Sequence, residues 1–351
     1  MKLLTHVLLP LLVFPFLTLT AFHLIVHQSL FQNGLQFKIS AICEPDLDPH
    51  PYRLPYTSIT NVDTLLCGMV VFFHALIDTA STAYLAVLFP ALSIVALIPF
   101  LEAARDRHPF ALRMPTAIGV LIQLASAGVI MPLYSLLFVI THTASLRPST
   151  TPTPSPPSKI NQGNAEALLF GLILGYIVPT ILMLSFARPT VTAAWQGFPL
   201  LIALVILVHK IIRPPSRLVQ SGHPTVIVTL AFSFVLSALL HVVYVWPVLT
   251  DTPTLQTLFV SLMDVSDPAV MSLADGVLEF IKWDFIFGVG SVVIATFWMA
   301  DSLFSLAGII VWYGIANIAV GPAAAIAGVL LWRERRLNGK SQVEKVPQKM
   351  E

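Results

Sequence analysis

The chain has 351 residues, 56% of them hydrophobic and only 11% charged, with a mean hydropathy of +0.83. A soluble domain carries roughly 25% charged residues, so an ordinary aqueous protein and a disordered chain are both excluded. Nineteen Lys and Arg against 18 Asp and Glu leave a formal charge of +1, too weak a field to hold nucleic acid.

Two cysteines, Cys43 and Cys67, cannot build a disulfide framework or a zinc site. What remains is a protein dissolved in a bilayer. Backbone groups in hydrocarbon must bond internally, so the expected fold is all-α, a polytopic transmembrane helix bundle. The bundle is expected over residues 1–332, with a basic cytosolic tail over 333–351.

Crossing the hydrocarbon takes about 20 mostly apolar residues. Such runs fall near 3–26, 62–78, 82–101, 115–141, 166–186, 191–210, 224–246, 284–303 and 305–332, which predicts eight or nine spans. The first is read as a retained helix rather than a signal peptide, being long and lacking a small-x-small cleavage site. The second is the shortest, and merging it with the third as a re-entrant pair gives the lower count. The Pro/Ser/Thr-rich stretch within 142–165 is a solvated linker. The basic tail and the loop with Arg105, Arg107 and Arg113 mark the cytosolic side by the positive-inside rule. Nine spans put both there but leave Lys210, Arg213 and Arg217 on the wrong side.

No phosphate-binding glycine loop, HExxH or CxxC occurs, and neither Asp46/Asp48 nor Asp264/Asp267 forms a magnesium-diphosphate motif. No cofactor and no metal are expected. Gly171 and Gly175 make a small-residue packing seam.

Ionisable groups at membrane depth are costly and mark candidate function. Over 61–81, Asp63, Cys67, His74 and Asp78 fall within about 60° of one another on a helix. His74 and Asp78, at i and i+4, are placed to touch, and the carboxylate then fixes the imidazole tautomer and raises its basicity. Asp63 is about 22 Å away along the helix and cannot share their site. The plainer readings are that Asp63 complements the helix dipole, that Asp78 marks the membrane boundary, and that His74 is a satisfied interior histidine.

In the second constellation, Ser266 or Asp267 before Pro268 starts a helix. Its apolar row, Val270, Leu273, Val277 and Ile281, continues into Asp284, then Gly288, Ser291, Ala295 and Trp298. Asp284, beside Trp283, is expected to be buried and to hold a proton; the plainer reading is an interfacial Trp–Asp pair. Asp275 and Glu279 read as a solvated face and Asp301 as a boundary residue. His241 reads as part of an aromatic belt, and Gln123 and Asn317 as helix–helix glue.

One chemistry uses such parts without metal or nucleotide. A neutral carboxylic acid protonates an epoxide or alkene of a prenyl chain, aromatic faces steady the cation, and a base removes the last proton. The stretch from Pro51 to Asp78, with Glu279–Gly288 much later, resembles fungal integral-membrane terpene cyclases of secondary metabolism. It is most like the larger membrane protein of indole-diterpene clusters of the paxilline kind.

The resemblance implies cyclisation of a prenylated or epoxidised prenyl precursor at the endoplasmic reticulum, downstream of a prenyltransferase and an epoxidase. It also implies one essential acid in an early span, matched by Asp63 or Asp78, and one in a late span, matched by Asp284. The expected catalytic residues are thus Asp284, Asp78, His74 and Asp63, with Trp283, Trp298, Phe73 and Phe280 around the lipophilic substrate. The alternatives are a transporter or receptor, against which stands the lack of paired broken helices, and a sterol-isomerase-like enzyme.

Overall fold

A computed structural model describes residues 4–44, 50–105, 110–145, 160–214, 220–256 and 271–343. Asp46, Asp48, Arg107, Arg217, Asp264, Asp267, Pro268, Val270, most of the Pro/Ser/Thr tract and the tail beyond Val343 lie outside the described residues. The described chain is helical, with two isolated bridges and no strand. In order, α1 covers Thr5–Gln32, α2 Leu35–Cys43, α3 Thr60–Thr79, α4 Thr82–Ala103, α5 Pro115–Ala125 and α6 Ala127–Ser145. Then α7 covers Gln162–Phe186, α8 Pro189–Gln196, α9 Phe198–Ile212, α10 His223–Tyr244, α11 Leu273–Thr296, α12 Leu303–Ala319 and α13 Pro322–Val343.

Local chemistry sets the boundaries. Proline sits in the first turn of α5, α8, α9 and α10, where its missing N–H costs nothing. Ser81 and Ser272 cap α4 and α11, and Ser302 with Ser305 forms a reciprocal box at α12.

Helix α11 organises the bundle, and its neighbours fix the direction of α3 and α4. Leu273 packs on the Cys43, Cys67 and Val71 group, and Phe280 meets Phe72 edge-on with centroids 5.2 Å apart. Further along, Phe285 packs with Ala83 and Val87, and Val292 and Ala295 line one cavity with Ile98 and Glu102. So α3 and α4 follow one another in the same direction along α11. The alternative that folds them back on each other is corrected.

The run 115–141 behaves differently from a single crossing. Pro115 lines a cavity with Pro99 and Phe100 near the end of α4. From there α5 climbs for 11 residues, about 16 Å, half of a hydrocarbon core of about 30 Å. The chain turns at Ser126, and α6 starts beside Asp284 and Gly288. It then returns until Phe138 lies under the Arg333 guanidinium, 5.2 Å from its ring centroid. The segment is a helical hairpin that enters and leaves at one end.

That end gathers the basic residues. Arg105 bridges to Ile160 and ion-pairs Glu334, Arg213 pairs with Glu166 at 2.5 Å, and Asn161 bridges to Ser221. At the other end a disulfide joins Cys43 to Cys67, tying α2 to α3.

Among the described residues, five helices are long and apolar enough to cross a membrane, or six if α8 and α9, bent by 66°, count as one span. The expected eight or nine uniform runs are not found on that measure. Helices α5 and α12 have 11 and 17 residues, and α11 carries Asp275, Glu279, Lys282 and Asp284. Helix α13 runs on to Val343, so Arg333 and Glu334, expected in the basic cytosolic tail, are buried residues of the bundle.

Candidate active site

Asp284 is 7% exposed and lies at the tip of the α5–α6 hairpin. Its row on α11 is the expected one, with Val277, Ile281, Gly288, Ser291 and Ala295 all buried. The helix starts at Leu273 behind Ser272. The Gly128 amide donates to Asp284 Oδ1 at 2.6 Å.

The group therefore caps the first turn of α6, where unpaired amides and the helix dipole favour an acidic oxygen. Two glycines permit the approach. A Cβ on Gly128 would lie 2.5 Å from Ile25 Cδ1 and 3.1 Å from the Asp284 Cα; one on Gly288 would lie 3.2 Å from the Ala127 Cβ. The walls are aromatic. Trp283 stacks on Phe287 at 6.0 Å beside Ile25 and Val129, and Phe280 packs on the same group.

The early-span candidates are dispersed. His74 is 4% exposed, and its Nε2 bonds the Thr192 hydroxyl at 3.2 Å under the Tyr52 ring. Asp78 is exposed at the end of α3, so the expected touching pair is replaced by His74–Thr192. Asp63 accepts from the Thr57 amide and hydroxyl, both at 2.7 Å, and anchors the loop before α3. In that loop, burial and then the Asp63 charge push the Tyr56 hydroxyl up to about 12. Tyr56 therefore stays protonated and donates to the Tyr52 carbonyl at 2.7 Å.

Phe73 lies one ring further off, edge-on to Trp195 at 4.9 Å and to Phe72 at 5.5 Å, with Phe72 between it and Phe280. Trp298 turns to the chain start, donating to the Thr5 carbonyl at 2.8 Å. Of the eight expected residues, the structure gathers Asp284, Trp283 and Phe280 at one place.

Other polar readings change as well. Glu279 is half-buried and accepts from Asn33 at 3.0 Å, so it is not a solvated face. Lys282 is buried near it. His241 bonds the Ile318 carbonyl at the end of α12. Gln123 is glue as expected, donating to the Gln196 carbonyl freed where α8 breaks into α9. Asn317 bonds Tyr313 of its own helix. Among the described residues no three His, Cys, Asp or Glu side chains group to hold a metal.

Sequence reasoning missed a buried ionic tetrad at the basic end. Glu102 pairs with Arg105 at 3.1 Å and Arg333 at 2.5 Å, and Arg105 also pairs with Glu334. All four are at most 5% exposed. The signal available was an acid beside arginines at the end of each of two otherwise apolar runs, Glu102 with Arg105 and Glu334 with Arg333.

The CtvD domain family model matches residues 9–337. Terpene cyclase janA of Penicillium janthinellum is 27% identical over 283 residues, covering 76% of each chain. Terpene cyclase ctvD of Aspergillus terreus is 27% identical over 298 residues, 78% of this chain and 84% of the relative. Terpene cyclase ascI of Acremonium egyptiacum is 26% identical over 163 residues, covering 42% and 41%. No solved structure matches.

Proposed function

Because this chain belongs to the CtvD-domain family, we propose that it is a membrane-embedded terpene cyclase acting on a prenylated or epoxidised prenyl precursor, such as a prenyl-indole epoxide. Asp284 is the acid. The observation that carries the assignment is a carboxyl buried in the middle of an apolar bundle, with one oxygen held at 2.6 Å by a backbone amide and aromatic rings beside it.

In the first step the Asp284 O–H bond breaks and the proton passes to the epoxide oxygen or the alkene. The next double bond attacks the cationic carbon, and Trp283, Phe280 and Phe287 steady the moving charge. The terminal cation then loses a C–H proton to water and the Asp284 carboxylate regains one from the same pool, so the reaction is an isomerisation with no net proton consumed. Microsomes given a prenyl-indole epoxide by a co-expressed prenyltransferase and epoxidase should form a cyclised isomer of unchanged mass. Absence of that isomer with ample inserted protein would overturn the substrate class.

The breaks at Ser126 and Gly197, bridged by Gln123, are features a carrier also uses. A carrier would move the epoxide across the membrane unchanged, which the same assay detects.

The proposed topology has eight crossings: α1, α3 with α4, α7, α8 with α9, α10, α11, α12 and α13. The α5–α6 hairpin dips in and out. Arg105, Arg213 and the C-terminus then share one face, which removes the conflict over Lys210 and Arg213. That face is the cytosol by the positive-inside rule. The Cys43–Cys67 bridge faces the oxidising lumen of the endoplasmic reticulum. A glycosylation acceptor inserted near Tyr52 should be modified, and one inserted near Arg213 should not. Modification at Arg213 would overturn the arrangement.

A further inference from the structure

Between α12 and α13 runs a groove of about 470 Å³, within the range of small-molecule sites, about 300–1,000 Å³. Its walls are Phe304, Gly308 and Trp312 on α12, with Gly328, Val329 and Trp332 on α13. Two glycines shape it. A Cβ on Gly328 would lie 2.6 Å from Trp312 Cζ2, so the glycine lets that ring close the inner end, where its N–H donates to the Ala325 carbonyl at 2.9 Å. A Cβ on Gly308 would meet nothing within 4 Å. There the groove is open.

An apolar groove facing a bilayer takes up hydrocarbon, and its mouth selects which molecule supplies it. Arg335 and Arg336 follow Trp332 by one turn, within about 60° of it on α13. Arg336 sits over the Trp332 ring, 4.5 Å from its centroid, and pairs with Asp301 just before α12. Arg335 is exposed. Two guanidinium groups against one carboxylate leave the mouth positive. From there the groove runs inward from Phe304 to Trp312, about 12 Å along α12.

We propose that the groove binds one anionic phospholipid, with an acyl chain against Trp312 and Trp332 and the phosphate at Arg335 and Arg336. The leaflet is the cytosolic one in the topology given above, which is where anionic lipids attract basic side chains. A guanidinium offers a phosphate two parallel N–H donors. Other occupants match the mouth less well. Copies of a membrane protein share one orientation, so a twofold axis along the membrane normal would set the arginines of two copies face to face. A neutral prenyl precursor has no group for Arg335. The inference does not depend on Asp284 as the acid, and its test involves neither turnover nor sidedness.

The full chain, purified in mild detergent, is titrated with phosphatidylserine and with phosphatidylcholine of the same acyl chains, and bound lipid is counted by native mass spectrometry. One phosphatidylserine per chain is expected, held about fivefold more tightly than phosphatidylcholine, the worth of one cationic side chain. Arg335→Gln should bring the two lipids level. Gly308→Leu, which fills the open part of the groove, should weaken both on the order of tenfold while melting no lower than the parent.

In the unaltered protein, phosphatidylserine with a photoreactive diazirine in its acyl chain should label peptides spanning 304–312 and 328–332. Equal affinity for the two lipids in the parent, parental binding in Gly308→Leu, or labelling confined to other segments overturns the proposal. Glycerophosphoserine, the headgroup without its chains, should not compete; competition would overturn the lipid and assign the arginines to a free phosphate ester. A dimer that dissociates in Gly308→Leu would make the groove an interface between copies and overturn it too.

Discussion

Asp284→Asn should insert and accumulate like the parent yet lose on the order of 10²-fold or more in rate, the scale of general acid catalysis. The amide oxygen can still accept from Gly128 at the position Oδ1 occupies, so the cap on α6 survives while the proton is gone. Asp284→Ala is the contrasting control. It uncaps a helix end inside the bundle, a site without water to compensate, and should lower abundance as well as rate. Product formed per inserted molecule separates the two effects. A parental rate in the Asn variant would sink the acid mechanism.

Glu102→Gln should produce the largest loss of stability in the molecule. Glu102 is 1% exposed and bonds both Arg105 and Arg333. Neutralising it leaves two buried guanidinium groups to share Glu334. Breaking a buried pair by removing one partner costs about 3–5 kcal/mol, because a charge is left uncompensated. The expected readout is a sharp fall in accumulation and in the melting temperature of detergent-solubilised protein. Adding Arg333→Met should restore part of the loss, since the remaining acid and base are again matched one to one. If the single variant melts like the parent, the tetrad contributes nothing to the fold.

The bundle and the buried row through Asp284 were legible because hydropathy and the 3.6-residue period are local properties. Direction was not. Nothing within 115–141 says that the chain reverses at Ser126. Serine is a poor predictor of a backbone conformation reserved for glycine (φ 86°, ψ 146°), and Gly128 becomes informative only once Ile25 and Asp284 are known to press on it. In the topology proposed above, the hairpin brings Lys210 and Arg213 to the face of Arg105, and the division of the run 305–332 into α12 and α13 brings the tail there too.

His74 and Asp78 were paired on spacing within one helix, but the Thr192 hydroxyl comes from α8, 118 residues away. Glu279 read as solvated because its partners, Ser29 and Asn33, lie about 250 residues earlier. The relatives support the enzyme class.

The contact between Gly128 and Asp284 spans 156 residues of chain, which sets an order of events during synthesis. At about 5–20 residues per second, the hairpin tip leaves the ribosome roughly 8–30 s before the carboxyl that caps it. Throughout that interval α1 and α6, whose shared neighbour is α11, have their common face uncovered, and the first amides of α6 lack Asp284. A chain of the first 272 residues therefore lacks the helix against which α1 and α6 both pack. A nascent chain stalled before residue 273 presents the quality-control machinery with a half-built bundle, and only the arrival of α11 closes it.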